Sequence, residues 1–302
     1  MNDNIFSSSS PSILLLGGGG QLGLSLIQLI GGGALIIPKR AEVDFLHSER
    51  LADLVIKLRP AVIINAAAYT LVDQAEVESE LAYRINAQAV AALAEAAKRV
   101  GALLVHFSTD YVFDGGGDRP RREDDRPAPL NVYGLSKWLG EQAILSSGCR
   151  YLILRTGWLH SPYRHNFLKT MLRLGIGRSS LSVVCDQIGA PTSAAMLAEA
   201  TLAAIRQTLV NPALSGLYHV TAAGEVSWYD YANFIFKEGC ALGMVGRMPS
   251  LIPVTSDHYT SLAPRPLNSR LDTSLFSKIF GIHFPPWQTG VRETLRQLEA
   301  EQ

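Results

Sequence analysis

Tyr133 and Lys137 stand four positions apart in Tyr133-Gly134-Leu135-Ser136-Lys137, which puts both side chains on one face if the segment is helical. A free phenol titrates near pH 10 and exchanges protons slowly at neutral pH, but a neighbouring ammonium group favours the phenolate. Lowering a phenol by three units takes about 4 kcal/mol, within reach of one close cation in a partly dry cleft. A Tyr and a Lys at this interval also occur by chance, so the pair gains meaning from what precedes it. Thr109 lies twenty-four residues before Tyr133, in Ser108-Thr109-Asp110, directly after an apolar run. A strand and a later helix can therefore carry all three to one cleft. There Thr109 would donate its hydroxyl to a carbonyl oxygen while Tyr133 delivers a proton to the same atom. Tyr133, Lys137 and Thr109 are thus candidate catalytic residues.

Carbonyl reduction also needs a hydride donor, and a second set of residues points to a dinucleotide. Gly17-x-x-Gly20-x-x-Gly23 follows the apolar run Ile13–Leu16 and leads into Leu22, Leu26, Leu29 and Ile30, a stripe at helical spacing. In that order the glycines permit a tight turn, close approach to pyrophosphate and close helix-strand packing. The helix N-terminus then offers free N–H groups to the phosphates. A glycine turn of purely structural use is the competing reading. The next strand, 34–37, runs into Pro38-Lys39-Arg40 rather than into an acid. Two cations there favour NADPH, Arg40 forming a forked contact to the 2′-phosphate, unless both are simply solvated. Asp44 follows closely enough to touch the adenosine, so NADH stays possible. Ala66, Ala67 and Ala68, after a third run Val62–Asn65, are small enough for the dinucleotide to lie against the sheet's carboxyl edge.

These residues need a scaffold, and the pattern supplies one. Residues 103–107 and 151–154 read as further buried strands. Between the third and fourth runs Ala82, Ile85, Ala89, Ala92, Leu93, Ala96 and Val100 repeat at helical spacing, and 131–145 reads as another helix. Strands alternating with helices predict an α/β fold with a doubly wound parallel (Rossmann) sheet. The expected organisation is a disordered tail at 1–12, a dinucleotide-binding domain at 13–157, and a smaller mixed α/β substrate lobe at 158–302 whose segments return to the first domain. The lobe should contain apolar runs at 181–184 and 217–220 and a helix carrying Trp228, Tyr231, Ala232, Ile235 and Phe236.

Composition narrows the function classes. The 302 residues are 47% hydrophobic and 18% charged, too apolar for a disordered chain. Twenty-seven Lys and Arg balance twenty-seven Asp and Glu, which leaves no basic field for nucleic acid or anionic lipid. Cys149, Cys185 and Cys240 are odd in number and far apart, fitting neither a disulfide framework nor metal spacing. With no signal-like start and no apolar stretch of ~20 residues, the expectation is a soluble, cytoplasmic protein. The seven histidines, His160 and His165 among them, show no ligand spacing.

The longer motifs GGGGQLG, VIINAAAYTLVDQAE, HFSTDYVFDG, PLNVYGLSK, LRTGWL, NFLKTMLRL, DQIGAPT and RPLNSRL carry a resemblance. From about Ile13 onward the chain resembles the extended short-chain dehydrogenase/reductases, and within them the dTDP-4-dehydrorhamnose reductases. The resemblance implies NADPH-dependent reduction of the C4 ketone of a dTDP-linked deoxysugar, with Tyr133 protonating the nascent alkoxide and Lys137 holding the nicotinamide ribose. It puts Gly20, Gln21 and Leu22 on the pyrophosphate beside the turn glycines Gly17 and Gly23. Asp44 and Phe45 fall near the adenine, and Ala66, Ala67, Ala68 and Phe107 along the cofactor. Asp110 and Trp158 join Thr109 beside the nucleotide sugar. Arg265 and Arg270 are candidates for its diphosphate, with salt-bridged scaffold arginines an equal alternative. Some family members form metal-linked homodimers through acidic residues; near Leu24, Ser25 and Ala195 this chain has no carboxylate to serve, so no metal is expected and a homodimer is left open. Two departures from the family pattern are a short span between the second and third strands and Lys39-Arg40 where an acid often stands.

Two rival readings keep the same fold. One is a non-catalytic, NADP-binding regulatory subunit of methionine adenosyltransferase. The other is a different sugar-nucleotide enzyme, such as a 4-epimerase or a 4,6-dehydratase. A dehydratase would place acid-base carboxylates after the fourth strand, where this chain has Thr109-Asp110.

Overall fold

A computed structural model describes residues 12–31, 35–39 and 42–301. Its centre is built from β1 (Ile13–Leu16), α1 (Gln21–Ile30), β2 (Leu35–Ile36), α2 (Ser48–Leu58) and β3 (Val62–Asn65), followed by α3 (Val72–Val77), α4 (Ser79–Tyr83), α5 (Ala89–Val100) and β4 (Leu103–Thr109). Helix α6 (Val132–Ser147) and β5 (Arg150–Thr156) complete this part. The second part contains β6 (Leu159–His160), α7 (Phe167–Gly177), β7 (Ser180–Val184), β8 (Ile188–Gly189), β9 (Thr192–Ser193) and α8 (Ala194–Val210). It continues through β10 (Gly216–His219), β11 (Val226–Ser227), α9 (Trp228–Ala241), β12 (Ser250–Val254), α10 (Ser274–Phe280) and α11 (Trp287–Ala300).

Six strands form one parallel sheet in the order β10-β5-β4-β3-β1-β2. The connection from β1 runs one way to β2, and the chain then returns to the other side at β3, so the topological switch lies between β1 and β3. The apolar strand runs follow from burial on both faces. Ile13, Leu15, Val62, Ile64, Val105 and Leu152 pack toward α1, α8 and α10. Their neighbours Leu14, Leu16, Ile63, Leu104 and Ile153 pack toward α2, α5 and α6. A separate core of Leu168, Tyr231, Ile235, Phe236, Trp287 and Val291 holds α7, α9 and α11 together beside the parallel pair β7 and β12.

Several details differ from the periodicity. Leu29 is 43% exposed, so the buried stripe of α1 runs through Leu22, Leu26 and Ile30. The repeat from Ala82 to Val100 is not one helix: a π-helical turn, Arg84–Gln88, separates α4 from α5. That turn buries Asn86, whose side chain bonds both backbone groups of Tyr69 and Ser136 Oγ of α6. The run at 217–220 belongs to β10, which pairs with β5 at the edge of the main sheet. Ala34, Arg40 and the tail at 1–11 lie outside the described residues.

Helix α6 is set close to the turn that follows β4 and to the π-helical turn because two glycines allow it. A Cβ at Gly134 would overlap the Tyr111 carbonyl, and one at Gly140 would overlap that of Asn86. Asn131 caps the helix, accepting from Gly134 N–H at 2.8 Å. Its amide also donates to the Pro264 carbonyl at 2.8 Å, and Glu76 accepts from Val132 N–H at 2.8 Å. The start of α6 is thereby fixed from three sides, next to the end of β4.

Candidate active site

The glycine loop lies at the switch point. Gly17 has φ +80, in the left-handed region, and a Cβ there would overlap the Ala66-Ala67 backbone. A Cβ at Gly23 would overlap the Gly17 carbonyl. Gly20 begins α1 with no side chain capping it, which leaves the first-turn N–H groups of the helix for a ligand. This side-chain-free cradle at a helix N-terminus fits the pyrophosphate of a dinucleotide. Ala66, Ala67 and Ala68 follow β3 beside it and are partly buried. Leu22 is in the core. Gln21 turns its side chain to the second part of the chain, its Oε1 accepting from Ser161 Oγ and Asn166 Nδ2, both at 2.9 Å.

The adenine end is more open. Asp44 accepts from Leu46 N–H at 2.9 Å and meets His47 Nδ1 at 2.9 Å; these bonds hold its carboxyl below the usual range. Phe45 is partly buried beside it.

Thr109 ends β4 and Tyr133 lies in the first turn of α6. The Thr109 hydroxyl is near enough to the Tyr133 phenol to hold its pKa down, so the structure brings these two side chains to one place. Thr109 Oγ1 donates to Asp110 Oδ1 at 2.8 Å and accepts from Tyr111 N–H at 3.1 Å. Tyr111 stands edge-on to Tyr133, ring centroids 5.9 Å apart. Lys137, one turn along α6, donates from Nζ to the Phe107 carbonyl at 2.6 Å and lies 3.1 Å from His106 Nε2. His106 in turn meets Asn65 Nδ2 through Nδ1 at 3.1 Å, and Asn65 Oδ1 accepts from Ala67 N–H at 3.2 Å. Lys137 is therefore linked through two side chains to the backbone that flanks the glycine loop.

The protein's own groups leave the phenol raised. Burial pushes the Tyr133 phenol above its usual range. The Thr109 hydroxyl opposes that rise, and Asp110 and Tyr111 add to it. The Lys137 ammonium does not reverse it, because its charge is turned to the Phe107 carbonyl and it is itself lowered to about 8 by burial. Asp110 is almost fully enclosed, its Oδ2 without a hydrogen-bond partner in the protein, and burial raises it to about 6. A Cβ at Gly157 would press on that carboxyl at 2.8 Å.

The remaining candidates surround this centre. Trp158, with φ +50, stacks on Trp228 at 3.5 Å between centroids and 5° between planes. Arg265 donates to Tyr111 Oη at 3.3 Å and to Asp73 Oδ2 at 2.7 Å, so Tyr111 links it to Tyr133. Arg270 commits its donors to Asn268 Oδ1, Glu225 Oε2 and the Asp118 carbonyl, a network within the scaffold. Among the described residues no group of three His, Cys, Asp or Glu side chains is placed to hold a metal, and no helix is long and apolar enough to cross a membrane. Sequence reasoning missed His106, Asn65, Tyr111, Asp73 and Trp228. The available signal was a histidine inside an otherwise apolar strand and an asparagine ending another.

A family model described as the RmlD substrate binding domain matches residues 11–300. The dTDP-4-dehydrorhamnose reductase of Escherichia coli (strain K12) is 44% identical over 292 residues, covering 95% of this chain and 98% of that protein. The crystal structure of a dTDP-4-dehydrorhamnose reductase from Bacillus anthracis in complex with NADP is similar with TM-score 0.86 and 36% identity, over 95% of this chain and 99% of that one. One from Clostridium acetobutylicum gives 0.88 and 34% over the same shares. A UDP-glucose 4-epimerase from Brucella ovis, 19% identical with TM-score 0.77, shares the fold. By its sequence and its sheet alike, this chain belongs to the RmlD substrate binding domain family.

Proposed function

We propose that the chain is an NADPH-dependent oxidoreductase that reduces the C4 ketone of dTDP-4-dehydro-L-rhamnose to dTDP-L-rhamnose. The observation that carries the reading is the shared position of the Thr109 and Tyr133 hydroxyls at the end of β4, with Lys137 on the same face of α6. A bound NADPH supplies the hydride to the ketone carbon. Tyr133 gives its proton to the oxygen as negative charge develops there, and a phenol kept protonated by burial is in the form this direction requires. Thr109 orients that oxygen by turning to it the one O–H that otherwise goes to Asp110 Oδ1 at 2.8 Å. Lys137 would hold the cofactor ribose. Gly17, Gly20, Gln21, Leu22 and Gly23 receive the pyrophosphate, and Arg40 or Asp44 the adenosine end.

The reductase names of the relatives favour this reading over a non-catalytic subunit or an epimerase. On the same reading the protein works in the cytoplasm as a monomer or homodimer, and nucleic acid is not a partner. The test mixes purified protein with NADPH and dTDP-4-dehydro-L-rhamnose and follows nicotinamide absorbance. Stoichiometric loss of absorbance with formation of dTDP-L-rhamnose is expected; no oxidation of NADPH with authentic substrate would overturn the proposal.

A further inference from the structure

A cation from the second part of the chain reaches over the glycine loop. Arg164 lies between β6 and α7, is exposed, and holds φ +57, a left-handed conformation that is uncommon for a residue with a Cβ. Its Nε donates to the Gly19 carbonyl at 2.6 Å. The guanidinium therefore rests on the loop that opens α1, and its terminal Nη2 is 3.5 Å from where a Gly19 Cβ would stand. The segment that carries it is anchored to α1 by side chains. Ser161 and Asn166 both donate to Gln21 Oε1, and Tyr163 Oη donates to Gln28 Oε1 at 3.2 Å. Within the segment, Asn166 Nδ2 closes back on the Ser161 carbonyl and Lys169 Nζ donates to the Pro162 carbonyl.

The electrostatics of this placement are incomplete within the protein. A helix N-terminus carries partial positive charge, so an arginine held beside it is disfavoured unless an anion joins them. Among the described residues Arg164 makes no ion pair with a carboxylate, and its bond to the Gly19 carbonyl uses a single N–H of five. The two terminal nitrogens keep the planar fork that suits phosphate oxygens.

We infer that Arg164 is a cofactor-binding residue whose guanidinium pairs with the pyrophosphate of the dinucleotide and, through the Gln21-anchored segment, clamps the second part of the chain onto the glycine loop. The inference rests on the reading of that loop as the dinucleotide site. It assigns the adenosine 2′-phosphate to other groups, so Arg164 should strengthen NADPH and NADH alike.

The experiment measures dissociation constants of NADPH and NADH by calorimetry, without sugar nucleotide, for the parent protein and for Arg164→Gly. Glycine adopts φ +57 without strain, so the segment keeps its backbone while losing the cation. A second variant, Arg164→Lys, restores charge without the fork. Loss of a charge-assisted contact is expected to weaken both dinucleotides by about 10-fold or more in Arg164→Gly, with partial recovery in Arg164→Lys and an unchanged melting temperature. Affinities within about two-fold of the parent overturn the inference while leaving the site reading intact. Weakening of NADPH alone also overturns it, since the guanidinium would then read the 2′-phosphate. A parent protein that binds neither dinucleotide overturns the site reading and the inference with it.

Discussion

His106 Nε2 and Lys137 Nζ meet 3.1 Å apart where β4 and α6 are in contact, both side chains buried. The Phe107 carbonyl accepts from the Lys137 head, and the imidazole lies beside it behind Tyr133. Burial lowers Lys137 to about 8 and holds His106 well below its ordinary value, the nearby Lys137 charge adding to that effect. If the ammonium form is the working form, kcat falls as pH rises through about 8. His106 Nδ1 accepts from Asn65 Nδ2, whose Oδ1 is taken by Ala67 N–H, so the neutral ring turns its Nε2–H toward Lys137 and opposes the ammonium form. His106→Leu removes that opposition, and the alkaline limb should move to higher pH by at least about half a unit. A pH profile of kcat for the variant decides this; a limb that stays in place would make His106 a packing residue only.

Tyr133→Phe removes the proton donor and leaves the ring that stands edge-on to Tyr111. Turnover should fall by about 10² or more. NADPH affinity should stay within about two-fold, because the glycine cradle and Lys137 are untouched. Steady-state kinetics together with direct titration of NADPH check both halves, and retained turnover would remove Tyr133 from the chemistry.

The parts of this site that could be read from sequence are those set by local periods. Ile13–Leu16 and Val62–Asn65 are unalternated because helices cover both faces of the sheet. Tyr133 and Lys137 share a face because four residues make about one helical turn. What could not be read depends on distant partners. Trp228 stacks on Trp158 from seventy residues away, and β10 joins β5 across α7 and α8. His106 is hidden because a strand position facing a buried lysine looks, in one dimension, like an interruption of an apolar run. The Tyr133 phenol is raised because burial outweighs the Thr109 contribution that holds it down, and burial cannot be read from the spacing to Lys137. The π-helical turn at Arg84–Gln88 adds one residue to a helical period without any composition signal of its own.

Three buried histidines predict the response to acid. His106 is held well below 6.5, and His160 and His219 are lowered to about 3, in each case chiefly by burial. The unfolded chain binds protons at these positions once pH falls below about 6.5, and the folded chain does not. Their contribution to stability is therefore full above 6.5 and is lost as pH falls from there toward the folded values, at up to about 1.4 kcal/mol per pH unit for each. Asp110, raised to about 6, acts in the opposite sense between 6 and its ordinary 3.8, and Glu123, also raised by burial, acts in that sense too, while Asp125, lowered to about 2 by its bond to Arg119, joins the histidines. Melting temperature should decline steadily below pH 6.5. His160→Gln should flatten part of that decline, and an identical slope in the variant would show that His160 does not titrate on unfolding.

Gly189 determines whether Trp158 can lie where it does. A Cβ at Gly189 would overlap the indole, which is already stacked face to face on Trp228 and so cannot retreat in that direction. The Trp158 backbone is also committed, with φ +50 and its carbonyl accepting from Thr192 N–H at 3.2 Å. Gly189→Ala must therefore rotate the indole out of the stack or separate β8 from it, either way altering the wall next to Gly157 and the Asp110 carboxyl. The glycine loop lies on another element and is not reached. The expected result is a KM for the nucleotide sugar raised by about 10-fold, an NADPH dissociation constant within about two-fold of the parent, and a changed tryptophan emission from the broken pair. Equal KM values would mean that the indole pair supports the fold without touching the sugar, and a parallel loss of NADPH affinity would mean that the two binding regions are coupled through β8.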